Sequence, residues 1–182
     1  VVITGFGAIT NLGADARTTW DAMRNGRSGI TRLGGPDFDQ YPGKWSVSAA
    51  GQVTLGDTAA VLDPREAKRL DRFTLLAMVA AYEAVAHSGI DFAKEDPERC
   101  GVMVGSGIGG IKTIEEGVIT MVQRGPDRLS PFTVPRLMVN AATGNISIRY
   151  GLQGPAGAHA TACASSGHAF GDAISWMRRG HA

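Results

Sequence analysis

Residues 160–166 read ATACASS, a cysteine set among small residues where the apolar run PAGAHATA (155–162) gives way to CASSGHAFGDAISWMRRG (163–180). The first run has the look of a buried strand of small residues, and the second of a helix whose face is almost all Ala, Ser and Gly. A cysteine at such a strand-to-helix turn lies near the unpaired N–H groups of the helix's first turn, where the helix dipole favours a thiolate. Ala162, Ala164, Ser165 and Ser166 leave room for a substrate. The competing reading is a core cysteine, since Cys buries well; Cys100, at the start of a strand and away from any turn motif, keeps that reading. A cysteine nucleophile usually needs a base. His168 lies roughly 140° around an ideal helix from position 163, His159 is expected to be structural or at an interface, His87 sits in the last turn of a helix, and His181 is at the chain end. None qualifies.

Outward from this turn, strands alternate with helices, which predicts an α/β architecture. VVITGFG (1–7) reads as a buried strand. A helix is expected from Asp15 to about Asn25 with Gly26 as its stop, and CGVMVGSGIGG (100–110) as a strand entering a glycine loop before a helix at 111–125. The clearest helix opens at Asp63 with Pro64 at its first position and Glu66 placed for a capping box, and runs through Leu70, Phe73, Ala77, Ala80 and Ala84 to Gly89. SPFTVP (130–135) is expected not to be helical between its prolines, whereas 136–151 can be. Residues 27–62, rich in Gly, Pro, Asp and Ser, read as loops and short strands covering something. The 182 residues suit one domain, with 43% hydrophobic and 19% charged side chains, and no run long enough to span a membrane. The formal charge of +1 offers no global pull toward nucleic acid, and two cysteines make no disulfide framework, so a reducing cytosol is the expected compartment. Both ends read as cut from a longer protein.

Taken together, TACASSGHAFGDA, VVITGFGAITNLG, GSGIGG, LSPFTVP, the stretch around Asn140 and YGLQGP resemble, in order and spacing over essentially all of the chain, the β-ketoacyl-acyl carrier protein synthases, and most nearly the elongating type II enzymes. The resemblance implies a thiolase-like layered fold, the N-terminal half of an α-β-α-β-α architecture, with residues 27–62 as an irregular cap and the C-terminal half absent. It also implies a decarboxylative Claisen condensation. Cys163 would take an acyl group from carrier protein, its backbone N–H would form one arm of an oxyanion hole, and the second arm, two histidines and a lysine would lie in the C-terminal half. No cofactor is implied, since phosphopantetheine arrives on the carrier protein.

The same resemblance assigns Ile108, Phe132, Thr133, Val134 and Ala162 to the acyl pocket, with Ile108 as its gate and Thr133 where the family usually has a second aromatic. SPFTVP and GPAGAHATA would lie at a homodimer interface. Arg65, Lys68, Arg69 and Arg72 fall within roughly 100° of one helix face, ordinarily a solvated cluster; the resemblance makes Arg65, Lys68, Arg69 and Arg128 the dock for the acidic carrier protein. Two rival readings stand beside this one. GSGIGG also matches G-x-G-x-x-G and would make a nucleotide-binding module, and the chain could be a non-catalytic condensing-enzyme relative, which the presence of Cys163 argues against.

Overall fold

A computed structural model of the protein describes residues 1–39, 42–56, 58 and 60–182; Gln40, Tyr41, Asp57 and Ala59, inside the expected capping segment, lie outside the described residues. Along the chain run α1 (Ala16–Arg24), β1 (Thr31–Arg32), α2 (Pro36–Asp39), β2 (Ala49–Ala50), α3 (Pro64–Ala67), α4 (Arg72–Ser88), β3 (Val102–Gly105), α5 (Ile111–Arg124), α6 (Thr133–Leu137), α7 (Ala141–Tyr150), β4 (Ala156–His159) and α8 (Ser165–Arg178). Single 3-10 turns fall at Phe92–Lys94, Pro97–Arg99, Pro126–Arg128 and Ala162–Ala164.

The apolar stretches around 102 and 156 pair in parallel, Val102 opposite Ala156 and Gly105 opposite His159. A parallel pair needs a long crossover, here filled by α5, α6 and α7. Because side chains alternate along a strand, Val102 and Val104 face one way, into the core of Val61, Leu62, Met78 and Ile146 made with α4 and α7. The other face carries α8. A side chain at Gly105 would collide with the backbone of Ser165 and Ser166, so the glycine lets the helix close on the strand. Ser165 and Ala169 are the buried residues of α8, which explains its small-residue face. The result is helix, sheet, helix, with the cysteine turn at the end where β4 passes into α8. Residues 27–62 carry the antiparallel pair β1–β2 and α2 among irregular chain, as expected.

Three expectations are corrected. VVITGFG forms no ladder among the described residues; it runs extended along α4, with Val1, Val2 and Ile3 exposed. β-branched residues favour a strand only where a neighbour supplies hydrogen bonds, and this segment's partner is a helix. Side chains at Gly5 and Gly7 would run into the carbonyl oxygens of Ala84 and Ala80. Glu83 ties the same segment down, its carboxylate accepting from the N–H groups of Ala8 (2.8 Å) and Ala16 (2.9 Å). Second, SPFTVP is partly helical, since α6 begins at Thr133 and includes Pro135. A proline in the first turn forfeits only an N–H that would be unpaired there anyway.

Third, the single helix expected from 63 to 89 is two. Asp63 caps α3 by accepting from the Arg65 N–H (2.7 Å), while the reciprocal capping box forms instead at α1 between Asp15 and Thr18. The hydrogen bonds from Thr18 hold the Asp15 carboxyl below its usual range. The chain then breaks so that Asp71 can cap α4. Its Oδ1 accepts from the Phe73 N–H (3.2 Å), and its Oδ2 accepts from both the N–H (3.0 Å) and the hydroxyl (2.6 Å) of Thr113 in the first turn of α5. One carboxylate, 3% exposed, closes two helix N-termini. Asp71→Ala would leave three donors unpaired, two of them buried, and should lower stability by about 3 kcal/mol in urea unfolding, with Asp71→Asn intermediate because its remaining oxygen still accepts.

Candidate active site

The turn between β4 and α8 contains no glycine, yet Ala162 sits at φ +50°, the only described non-glycine residue at positive φ. Such a conformation costs on the order of 1–3 kcal/mol and persists only where neighbours enforce it. Ser165 does so: its hydroxyl donates to the Ala162 carbonyl (2.7 Å) and accepts from the Thr161 N–H (2.8 Å). Stapled between those ends, Cys163 is exposed, one residue short of the Ala164 N-cap of α8, which no side chain caps. Among the described residues, nothing accepts a hydrogen bond from the Cys163 N–H. The arrangement presents a sulfur, a free backbone donor and the start of a helix on one small turn.

The glycine loop of residues 105–110 lies directly beside it. Gly107 packs by Ala162, its would-be Cβ 3.7 Å from the Ala162 Cα, and the Ser106 N–H donates to the His159 carbonyl (3.0 Å). Ile108 is 59% exposed at the loop tip. Downstream, Gly109 (φ +84°) and Gly110 press against the backbone at Leu137 and Val139, just past α6, and the Gly110 N–H donates to the Leu137 carbonyl (3.0 Å). The loop thus joins Ala162 and Cys163 to the helix holding Thr133 and Val134. Thr133 faces α5, its Cγ2 3.7 Å from where a Gly117 side chain would begin, and Val134 is exposed. Phe132 carries the Arg69 guanidinium over its ring at 5.2 Å.

The basic residues are only partly brought together. With the helix broken at 68–71, they do not share one ideal helix face. Arg65 and Lys68 are exposed, Arg69 is stacked on Phe132, and Arg72 donates through Nη2 to the Val53 carbonyl of the capping segment. Arg128 is exposed beside α5 and shares a small recess with Thr133.

The nucleotide-binding reading of GSGIGG is not supported by this geometry. A dinucleotide site needs the helix N-terminus open to a pyrophosphate, and the first turn of α5 is occupied by the Asp71 carboxylate while Gly109 and Gly110 are covered by protein backbone. The histidines behave as their positions suggest. His87 Nδ1 meets the Phe6 backbone at 3.2 Å, His159 Nε2 lies 2.8 Å from Asp172 Oδ2 without the alignment of a hydrogen bond, and His168 Nδ1 shares a hydrogen bond of 2.8 Å with the Thr161 hydroxyl. Sequence reasoning missed the Ser165 staple, although a serine three residues after a small residue is a readable local signal. It also missed Asp71 and the Thr161–His168 pair, whose partners only the fold supplies.

The helix–sheet–helix stack, with an exposed cysteine where a parallel strand passes into a helix, fits a thiolase-like α/β fold. Residues 1–182 match the model of the β-ketoacyl synthase N-terminal domain, and the chain belongs to that family. It is 42% identical to 3-oxoacyl-[acyl-carrier-protein] synthase 2 of Staphylococcus aureus (strain COL) over 182 residues, all of this chain and 43% of that protein. The corresponding synthase of Synechocystis sp. is 35% identical over the same span. A type II polyketide ketosynthase solved with its acyl-carrier protein superposes with TM-score 0.81 at 24% identity, covering 100% of this chain and 47% of that one. A β-ketoacyl synthase from Burkholderia phymatum gives 0.77 at 25% identity, over 99% and 44% of the two chains. The chain spans less than half the length of each of these relatives.

The two cysteines are chemically unequal. Cys100 is half-buried, and burial, with the charges of Glu95 and Asp96, pushes its thiol above the usual range. At pH 7 iodoacetamide should therefore label Cys163 while sparing Cys100, and Cys100 labelling should rise only as the solution is made alkaline, as peptide mass mapping would read out.

Proposed function

We propose that this chain carries the acyl-accepting turn of a 3-oxoacyl-acyl carrier protein synthase. The Cys163 thiolate attacks the thioester of an acyl-carrier protein; the carrier thiol leaves, and the acyl group rests on Sγ. A malonyl-carrier thioester then loses CO2, and the resulting carbanion attacks the Sγ-bound carbonyl. A carbon–carbon bond forms, the carbon–sulfur bond breaks, and Cys163 is released as thiolate beside a 3-oxoacyl thioester. The observation that carries the reading is the exposed Cys163 with its uncommitted N–H at the head of α8. That N–H is suited to one arm of an oxyanion hole, worth most at charge that develops in the transition state. The resemblance assigns the second arm, two histidines and a lysine to the part of the family's chain beyond these residues, in keeping with the engagement of His87, His159 and His168 elsewhere.

In this reading Ile108, Phe132, Thr133, Val134 and Ala162 line the acyl pocket. Supporting it, the glycine loop links Ala162 to α6 by direct packing. The synthase acts as a homodimer in the cytoplasm, through GPAGAHATA as an edge strand and SPFTVP; the exposed Val134 of α6 is part of the apolar surface such an interface would cover. No described helix is long and apolar enough to cross a membrane. The substrate is delivered by an acidic carrier protein steered to Arg65, Lys68, Arg69 and Arg128.

Intact mass after mixing the chain with an acyl-carrier thioester tests the nucleophile, with Cys163→Ser as control. An acyl adduct on Cys163 that the serine variant lacks is expected; no adduct from folded protein, with or without the remainder of the synthase supplied, would return the cysteine to a structural role. For docking, reversing charge at Arg65 and Lys68, the two exposed cations of α3 and its C-cap, should slow acylation from carrier protein about tenfold at low salt and leave small thioesters unaffected. Equal slowing of both substrates would remove the docking surface from this helix.

A further inference from the structure

We infer that Thr161, His168, His159 and Asp172 form a side-chain clamp that positions Cys163; the inference rests on the reading of that cysteine as the acyl acceptor. The chain leaves β4 at His159 and enters α8 at Ser165, and the residues between include the strained Ala162. With no side chain capping α8, the start of the helix is held from its flank instead. Thr161 reaches His168 by the 2.8 Å hydrogen bond, and His159 Nε2 lies against Asp172 Oδ2 at 2.8 Å, a close contact without hydrogen-bond alignment. The two imidazoles meet edge to face, centroids 5.9 Å apart at 71°, so the ties brace one another.

The spacing explains why the clamp forms. Residues 159 and 161 are two apart on an extended arm and so share a side; residues 168 and 172 are four apart on a helix and share a face. The arm before the turn is thereby fastened to the helix after it at two heights, with Ala162 and Cys163 in the bight. None of the four side chains is a catalytic residue, since each is engaged with another. They are positioning residues, keeping the sulfur and N–H of Cys163 at the head of α8 where Ser165 alone fastens only the backbone.

The test is the rate of Cys163 carbamidomethylation in the full chain, followed by peptide mass mapping, in mildly alkaline solution where Cys100 also reacts and serves as the reference in the same molecule. Thr161→Val and His168→Ala should each slow Cys163 labelling on the order of threefold to tenfold, the factor one net hydrogen bond is worth, leaving Cys100 unchanged. Thr161→Ser should restore the rate, and the Val/Ala double variant should be no slower than either single one. Wild-type rates in both variants, failure of serine to rescue, or a general rise at both cysteines from loosening of the fold would overturn the clamp. The acyl adduct of the wild-type chain is read separately. Its absence alongside intact clamp effects removes the acyl-acceptor reading alone, and its presence alongside unchanged labelling removes the clamp alone.

Discussion

The structure depends on one buried carboxylate. Asp71 stands where α3 gives way to α4 and is the point at which α4 and α5, otherwise far apart in sequence, begin. Each helix presents a positive N-terminal end, and two such ends brought together repel unless a negative charge is set between them. Asp71 supplies that charge and satisfies the N–H groups by hydrogen bonds, which meets the requirement for burying an ion. Because α4 carries the core residue Met78 and α5 follows the glycine loop, this contact ties the hydrophobic core to the loop beside the cysteine turn.

That arrangement changes the meaning of the glycine loop. Its glycines serve protein backbone on both sides: Gly105 admits the start of α8, Gly107 packs by Ala162, and Gly109 and Gly110 admit the end of α6 and the chain leaving it. A motif with the lettering of a phosphate cradle is filled from within, its anion being a side chain of the same protein. The loop acts as a spacer between the cysteine turn and α6, with the Ile108 side chain exposed at its tip.

Much of this was legible in the sequence. A short apolar run closed by glycine marked β3, a run of small residues marked β4, and Asp15, Asp63 and Pro64 marked helix starts, because these signals are local. The cysteine turn could be read from the size of its neighbours. The break at 68–71 could not, since Leu70, Phe73 and Ala77 continue the apolar period across it and the Thr113 that rewards the break lies 42 residues away. VVITGFG misled because β-branching reports what a side chain tolerates and says nothing of what stands alongside. His168 takes Thr161 as its partner, which was hidden because the two meet across a turn whose left-handed residue is an alanine, for which no sequence signal exists.

The contact of Gly5 and Gly7 with Ala84 and Ala80 has the same metric as the histidine clamp. Two residues of extended chain advance about 6.6 Å, and four residues of helix about 6.0 Å, so an extended segment and a helix lying side by side come into step at this interval. The N-terminal segment is therefore indexed against α4 like a rack against a pinion. Losing one residue between position 7 and the Glu83-bound start of α1 would bring Phe6 and Thr4 round to the places of Gly7 and Gly5, where only hydrogen fits. Losing two would restore the facing side but displace the glycines by a full helical turn. Length in this segment is thus constrained by parity, a form of constraint that neither composition nor hydrophobicity measures.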